Sequence, residues 1–297
     1  MALYLFTLAT MAYLFLVGGR RKRLKVGRIS LAYYTLGPKD GEPWLLLHGL
    51  GSVAATWSPV LRSLRGECRL IVPELSELGG SKVPDGGLGV RSGVDVVACL
   101  IEEEFGGRPI TVAGLSLGGW LAVRLTLRRP DLVSRLVLID CGGYRHQDWE
   151  AIGKLVRVQG MDDIDTLYKA LFVKVPWAMG VSRRGFLQAY SSRAVTGVLD
   201  GLSEEDTFDD DDLREIRVPT GLIWGERDGV FKLDCARAMA AALPDARLEV
   251  LTGCGHAVHM ECPRRLAGAV QRFRRATAGV ESRGTFAERE PCRAPTT

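Results

Sequence analysis

Ser116 lies in Gly114-Leu115-Ser116-Leu117-Gly118, directly after the apolar run Pro109-Ile110-Thr111-Val112-Ala113 and before the helix-like run Trp120 to Leu127. A serine between two glycines at a strand-to-helix turn has its hydroxyl lifted above a sheet, with room for close backbone approach. The chemistry open to it is acyl transfer. That chemistry needs a general base for the hydroxyl proton and a carboxylate that fixes the base's tautomer and stabilises the imidazolium. Both partners lie downstream. Val218 to Trp224 reads as a buried strand running into Gly225-Glu226-Arg227-Asp228, and Ala246 to Leu251 as another leading into Gly253-Cys254-Gly255-His256. Upstream, Trp44-Leu45-Leu46-Leu47 runs into His48-Gly49-Leu50-Gly51. Backbone N–H groups of Leu50 and Leu117 can then face a developing oxyanion, a donor position whose loss costs other enzymes about 3–4 kcal/mol.

Four motifs in this order, each at a strand end, resemble the α/β-hydrolase family, and within it the small lidded esterases, lipases and monoacylglycerol lipases. The resemblance covers roughly residues 29 to 275. It implies an α/β fold, a mostly parallel sheet covered by helices on both faces with an inserted helical cap. It assigns Ser116, Asp228 and His256 as the catalytic triad and Leu50 and Leu117 as the oxyanion hole, with no metal and no cofactor. The implied reaction is hydrolysis of carboxylic esters, and an apolar cap beside a membrane anchor points to lipophilic ones such as monoacylglycerols. An acyltransferase, an amidase or a carbon–carbon hydrolase on the same triad stays open, as does a non-catalytic ligand-binding relative. One loop departs from the family pattern. Where many relatives carry Asp-x-x-Gly-x-Gly-x-Ser, this chain has Pro73-Glu74-Leu75-Ser76-Glu77-Leu78-Gly79-Gly80-Ser81, which bears on substrate shape rather than on the triad.

Competing residues stand beside each choice. Asp140 also ends a strand, and some α/β-hydrolases draw their acid from that position. His259 and His146 are alternative bases, expected to be structural or solvated, and His48 is expected to fix the oxyanion turn. Glu226 and Arg227 are expected to form a surface ion pair of little weight.

The elements that position these residues alternate. Strands are expected at Ile29–Thr35, Trp44–His48, Arg69–Pro73, Ile110–Gly114, Arg135–Asp140, Thr220–Trp224 and Arg247–Leu251, with helices Ala55–Leu64, Val90–Phe105, Leu117–Arg128, Leu233–Ala242 and Pro263–Ala276 between them. The alternation breaks between Tyr144 and Arg217, where helices around Trp149–Val158, Ile164–Phe172 and Arg183–Val198 suggest a cap. Trp149, Leu155, Leu167, Leu171, Phe172, Trp177, Met179 and Phe186 are the candidates for its acyl pocket, more than half of them expected only to pack the cap on the core. The acidic run from Glu204 to Asp212 reads as a solvated loop, since it lacks calcium-loop spacing.

At 297 residues and 46% hydrophobic composition, one enzyme-sized core with an insertion is expected. Seven scattered cysteines without C-x-x-C spacing indicate neither a zinc cluster nor a disulfide framework, and so a reduced domain. Ala2 to Val17 is uncharged and is followed by six Lys/Arg within residues 20–28; without these the net charge falls from +4 to −2. The body is therefore not basic and nucleic acid is not an expected partner. Residues 1–19, as a helix of about 28 Å, read as a retained membrane anchor with a basic juxtamembrane segment at 20–28 and the domain on the cytoplasmic side. A helix packed on the domain or lying in one leaflet is the alternative. The remaining boundaries are core 29–144, cap 145–216, core 217–276 and a disordered tail 277–297.

Overall fold

In the strand Glu42–Leu47, Trp44 and Leu46 fall in one apolar cluster and Leu45 and Leu47 in the other. A strand with apolar side chains pointing both ways is stable only between two layers of helices. The computed structural model describes residues 12–176 and 182–279. Its strands are β1 (Arg20–Val26), β2 (Ile29–Leu36), β3 (Glu42–Leu47), β4 (Cys68–Pro73), β5 (Ile110–Leu115), β6 (Val133–Ile139), β7 (Thr220–Gly225) and β8 (Ala246–Leu251). They form one sheet in the order β1-β2-β4-β3-β5-β6-β7-β8. β2 pairs antiparallel with β1 and β4, and the remaining pairings are parallel.

Helices α1 (Ser58–Leu64), α2 (Val90–Phe105) and α3 (Leu117–Arg128) lie between the early strands. The cap follows β6 as α4 (Trp149–Val156), α5 (Met161–Leu171), α6 (Arg183–Tyr190), α7 (Arg193–Asp200) and α8 (Asp210–Glu215), and α9 (Leu233–Ala242), α10 (Val258–Glu261) and α11 (Pro263–Ala276) complete the core. Val94 and Leu100 of α2, Leu121 of α3 and Met239 of α9 join one cluster, while Leu61 of α1 and Leu266 and Phe273 of α11 join the other. This is the mostly parallel sheet covered on both faces that the alternation predicts, in keeping with the architecture that the α/β-hydrolase resemblance implies.

The N-terminal reading needs correction. The basic run expected to lie beside a membrane is β1, the edge strand, joined to β2 by a two-residue hairpin in which Gly27 has φ 54°. Three of its basic side chains are tied to the domain. Arg21 and Arg23 donate to the carbonyls of Gly79 and Gly80, and Lys22 pairs with Glu104 at 2.8 Å. Cationic side chains on an edge strand also oppose strand addition by another chain. Just before it, Leu14 is 1% exposed within the core cluster that holds Tyr34 and Trp44, so the end of the apolar stretch belongs to the domain. Among the described residues no helix is long and apolar enough to cross a membrane, and residues 1–11 lie outside them. With the basic cluster built into the sheet, the charge argument for a cytoplasmic domain loses its footing.

The acidic run is not a plain loop either. Asp209 caps α8 by accepting from the N–H groups of Asp211 and Asp212. The buried Asp206 takes Arg91 Nε at 2.8 Å and its carbonyl accepts from Trp120 Nε1 at 2.5 Å, which ties the end of the cap to α2 and α3. Beyond α11 the expected tail lies outside the described residues from 280 onward, whereas Thr277 is buried and donates to Phe273 O at 2.9 Å.

Candidate active site

All four motifs end parallel strands at the same edge of the sheet, where open α/β sheets place their ligands: the turn after β3, Ser116 after β5, Asp228 after β7 and His256 after β8. Ser116 has φ 54° and ψ −116°, a strained conformation for a residue with a side chain. Its surroundings hold it there. Its N–H donates to Ile139 O at 2.9 Å, and its carbonyl accepts from Trp120 N–H at 3.1 Å and Gly142 N–H at 3.2 Å. The motif glycines are required by contact: a Cβ at Gly114 would lie 2.2 Å from Gly118 O, and one at Gly118 would lie 2.2 Å from Leu47 O.

Asp228 Oδ2 lies 2.8 Å from His256 Nδ1, and its Oδ1 accepts from Val230 and Phe231 N–H at 2.7 and 2.8 Å. An ionised carboxylate only accepts, so Nδ1 carries the ring proton and Nε2 is left with its lone pair, the tautomer a general base needs. Ser116, His256, Leu50 and Leu117 line one cavity of about 200 Å³. Gly49 brings the oxyanion turn against the serine, since a Cβ there would lie 3.2 Å from Ser116 Cβ. The backbone N–H of neither Leu50 nor Leu117 has a protein acceptor among the described residues, which leaves both free for an oxyanion.

Asp140, the competing acid, is also buried, with φ 43°. Its Oδ1 accepts from Gly225 N–H at 2.7 Å and its Oδ2 has no partner among the described residues. Burial, and then the neighbouring Asp228 charge, push its pKa well above the usual carboxylate range, and of the two carboxyls it is Asp228 that is bonded to His256. Asp140, Asp228 and His256 bring ligand-type atoms within 4.8 Å of one another. The 2.8 Å Asp228–His256 contact is that of a shared proton, and a cation there would have to displace it.

His48 holds the oxyanion turn, as its position in the sequence suggests. Its Nδ1 contacts Gly49 O at 2.9 Å and its Nε2 accepts from Leu75 N–H at 3.0 Å; burial lowers its pKa to about 4, so it is neutral and Nδ1 is the donor. His146 is exposed against Tyr144, away from the cavity. Glu226 accepts from Gly253 N–H at 2.8 Å instead of pairing with Arg227. Trp149, Leu167, Leu171, Phe172 and Phe186 line the cavity and Leu155 does not, so more of the named cap residues face it than the packing argument anticipates; Trp177 and Met179 lie outside the described residues.

Three features escape sequence reasoning. Glu74, in the divergent loop, is buried and accepts from Ala54 N–H at 3.0 Å beside His48. Its place at the end of β4 was the available signal. Cys254 and Cys262 form a disulfide across the loop that carries His256, contrary to the reduced domain inferred from cysteine spacing. His259, read as structural or solvated, is in the cavity wall.

The alpha/beta hydrolase family model matches residues 44–269. The uncharacterized carboxylesterase nap of Bacillus subtilis is 25% identical over 252 residues, 82% of this chain and 83% of its own. Lipase 1 of Psychrobacter immobilis is 25% identical over 264 residues, 82% and 80% of the two chains. The crystal structure of a bacterial membrane phospholipase A superposes with a TM-score of 0.80 at 24% identity, over 94% of this chain and 93% of that one, a likeness of fold. With the strand order, the elbow and a family match spanning more than half of its length, the chain belongs to the alpha/beta hydrolase family.

Proposed function

We propose that the chain is a serine hydrolase of lipophilic carboxylic esters, including medium-chain esters and monoacylglycerols. The observation that carries the reading is the buried Asp228–His256 pair sharing with the strained Ser116 a cavity walled by apolar cap side chains. Ser116 Oγ attacks the ester carbonyl carbon while His256 Nε2 takes its proton, and Asp228 stabilises the imidazolium. The Leu50 and Leu117 N–H groups receive the oxyanion. Collapse of the tetrahedral intermediate breaks the ester C–O bond, and His256 returns its proton to the departing alcohol. Water, deprotonated by His256, then attacks the acyl-enzyme and releases the acid with Ser116 restored. Carboxylesterase and lipase names among the relatives support the ester as the bond cleaved.

The test is a fluorophosphonate probe followed by localisation of the adduct. Labelling at Ser116 is expected, and Ser116→Ala is expected to abolish labelling and the hydrolysis of a p-nitrophenyl ester series. An adduct on another serine, or undiminished turnover in the variant, refutes the assignment; binding without turnover across the series refutes the enzyme reading.

A further inference from the structure

His259 is a polar group in the cavity wall that the mechanism above leaves unused. Neither of its ring nitrogens has a hydrogen-bond partner among the described residues, and both are buried. Burial lowers its pKa to about 3, so the ring is neutral and offers one donor and one acceptor. Unmade hydrogen bonds of that kind are rare in native folds and call for an explanation at the site. A half-turn of the ring about Cβ–Cγ exchanges its nitrogens with its carbons, so either edge can be offered to the cavity.

The walls differ in chemistry. On the cap side, Ile152, Leu167, Leu171 and Phe186 have only carbon in their side chains, which suits an alkyl chain, and Trp149 Nε1 is the one unpartnered polar atom among the cap residues of that wall, among the described residues. α10, which carries His259, packs instead against the segment Ala54–Trp57 that follows the oxyanion turn, and Ser52 and Thr56 of that region also line the cavity. Ser52 Oγ donates to Thr56 Oγ1 at 3.1 Å, which in turn donates to Val53 O at 2.7 Å. The chain of donation leaves the Ser52 oxygen with acceptor capacity beside the oxyanion turn. With the acyl chain under the cap, the alcohol part of the ester falls to this polar corner.

Resting on the ester-hydrolase reading above, we propose that His259 recognises a hydroxyl on the alcohol part of the ester. The preferred substrate is then a monoacyl ester of a short polyol such as glycerol, and His259 sets specificity without taking part in proton transfer at the ester bond. The experiment compares kcat/KM for 1-monooctanoylglycerol and propyl octanoate, which share the acyl chain and a three-carbon alcohol and differ in two hydroxyls. Wild type is expected to prefer the glycerol ester. Replacing the imidazole in His259→Leu removes the hydrogen bond and is expected to lower the glycerol-to-propyl ratio about ten- to a hundredfold, and His259→Gln, which keeps a donor and an acceptor, to recover part of it. The ratio cancels the fraction of correctly folded enzyme, so partial misfolding does not imitate the effect. A wild-type ratio near one, or a ratio unmoved by His259→Leu, overturns the proposal; if that variant does not fold, an unmoved ratio in His259→Asn overturns it. Wild type that labels at Ser116 with fluorophosphonate yet cleaves neither ester overturns the ester reading itself.

Discussion

Replacing Asp228 by asparagine separates the two buried carboxyls. Asp228 Oδ2 sits 2.8 Å from His256 Nδ1. When His256 takes the Ser116 proton the pair becomes a contact between unit charges about 3–4 Å apart, worth about 4–5.5 kcal/mol at an effective dielectric of about 20. At about 1.36 kcal/mol per tenfold, that is a loss in kcat of about 10³–10⁴. Geometry adds to it. The N–H groups of Val230 and Phe231 point at Asp228 Oδ1, so they hold the oxygen of an asparagine and turn its NH₂ toward His256. Nδ1 must then accept, and the ring proton moves to Nε2, the atom that should take the serine proton. Asp140→Asn leaves the Asp228–His256 pair in place, burial and the Asp228 charge already disfavour ionisation of Asp140, and the amide still accepts from Gly225 N–H. A loss under about tenfold is expected. Steady-state hydrolysis of a short p-nitrophenyl ester, on proteins with matched circular dichroism, measures both. A larger loss for Asp140→Asn than for Asp228→Asn refutes the assignment of the acid.

Burial raises the Glu74 pKa from 4.5 to about 7, so the folded state binds this proton more tightly than the unfolded chain. The contribution is fully present below pH 4.5 and is lost as pH rises through about 7, a difference of about 3 kcal/mol. Glu74→Gln is therefore expected to gain about that much on wild type between pH 4.5 and 8 in urea unfolding, and a gap constant with pH refutes it. The Cys254–Cys262 disulfide closes a short loop around His256 with a sequence separation of 8, worth about 2.5 kcal/mol in the chain-entropy account. The double serine variant is expected to melt about 5–10 °C lower by calorimetry, and an unchanged Tm refutes the contribution.

The residues proposed for catalysis can be read along the sequence because each is anchored to a period or a turn that the chain spells out. The strand and helix limits of the core follow from the same alternation: Val90–Phe105, Leu117–Arg128, Leu233–Ala242 and Pro263–Ala276 are the helices both expected and observed. The N-terminus misleads for a physical reason. Arg20–Val26 carries too much charge to read as a strand, and only the Val26-Gly27-Arg28-Ile29 turn betrays the hairpin that pairs it with β2. Charge there serves the edge of a sheet, and composition alone cannot tell that from a membrane flank.

Asp140 and His259 are named from the sequence as a competing acid and an alternative base, but their surroundings escape it. Each is an ordinary residue in an ordinary place, a strand end and a short helix, and what marks it is a missing partner beside the site: Asp140 Oδ2 and both His259 nitrogens are among the buried side-chain atoms without one among the described residues. A partner's absence is a property of everything that surrounds an atom, contributed here by segments from Leu47 to His256 that meet only when the sheet is assembled. Local spacing records which groups the chain brings to a site. Which of them the fold satisfies internally, and which it leaves for a substrate, is decided by packing between distant elements. That is why the residues proposed for bond cleavage can be read along this chain, while the substrate recognition proposed for His259 depends on surroundings that local spacing does not record.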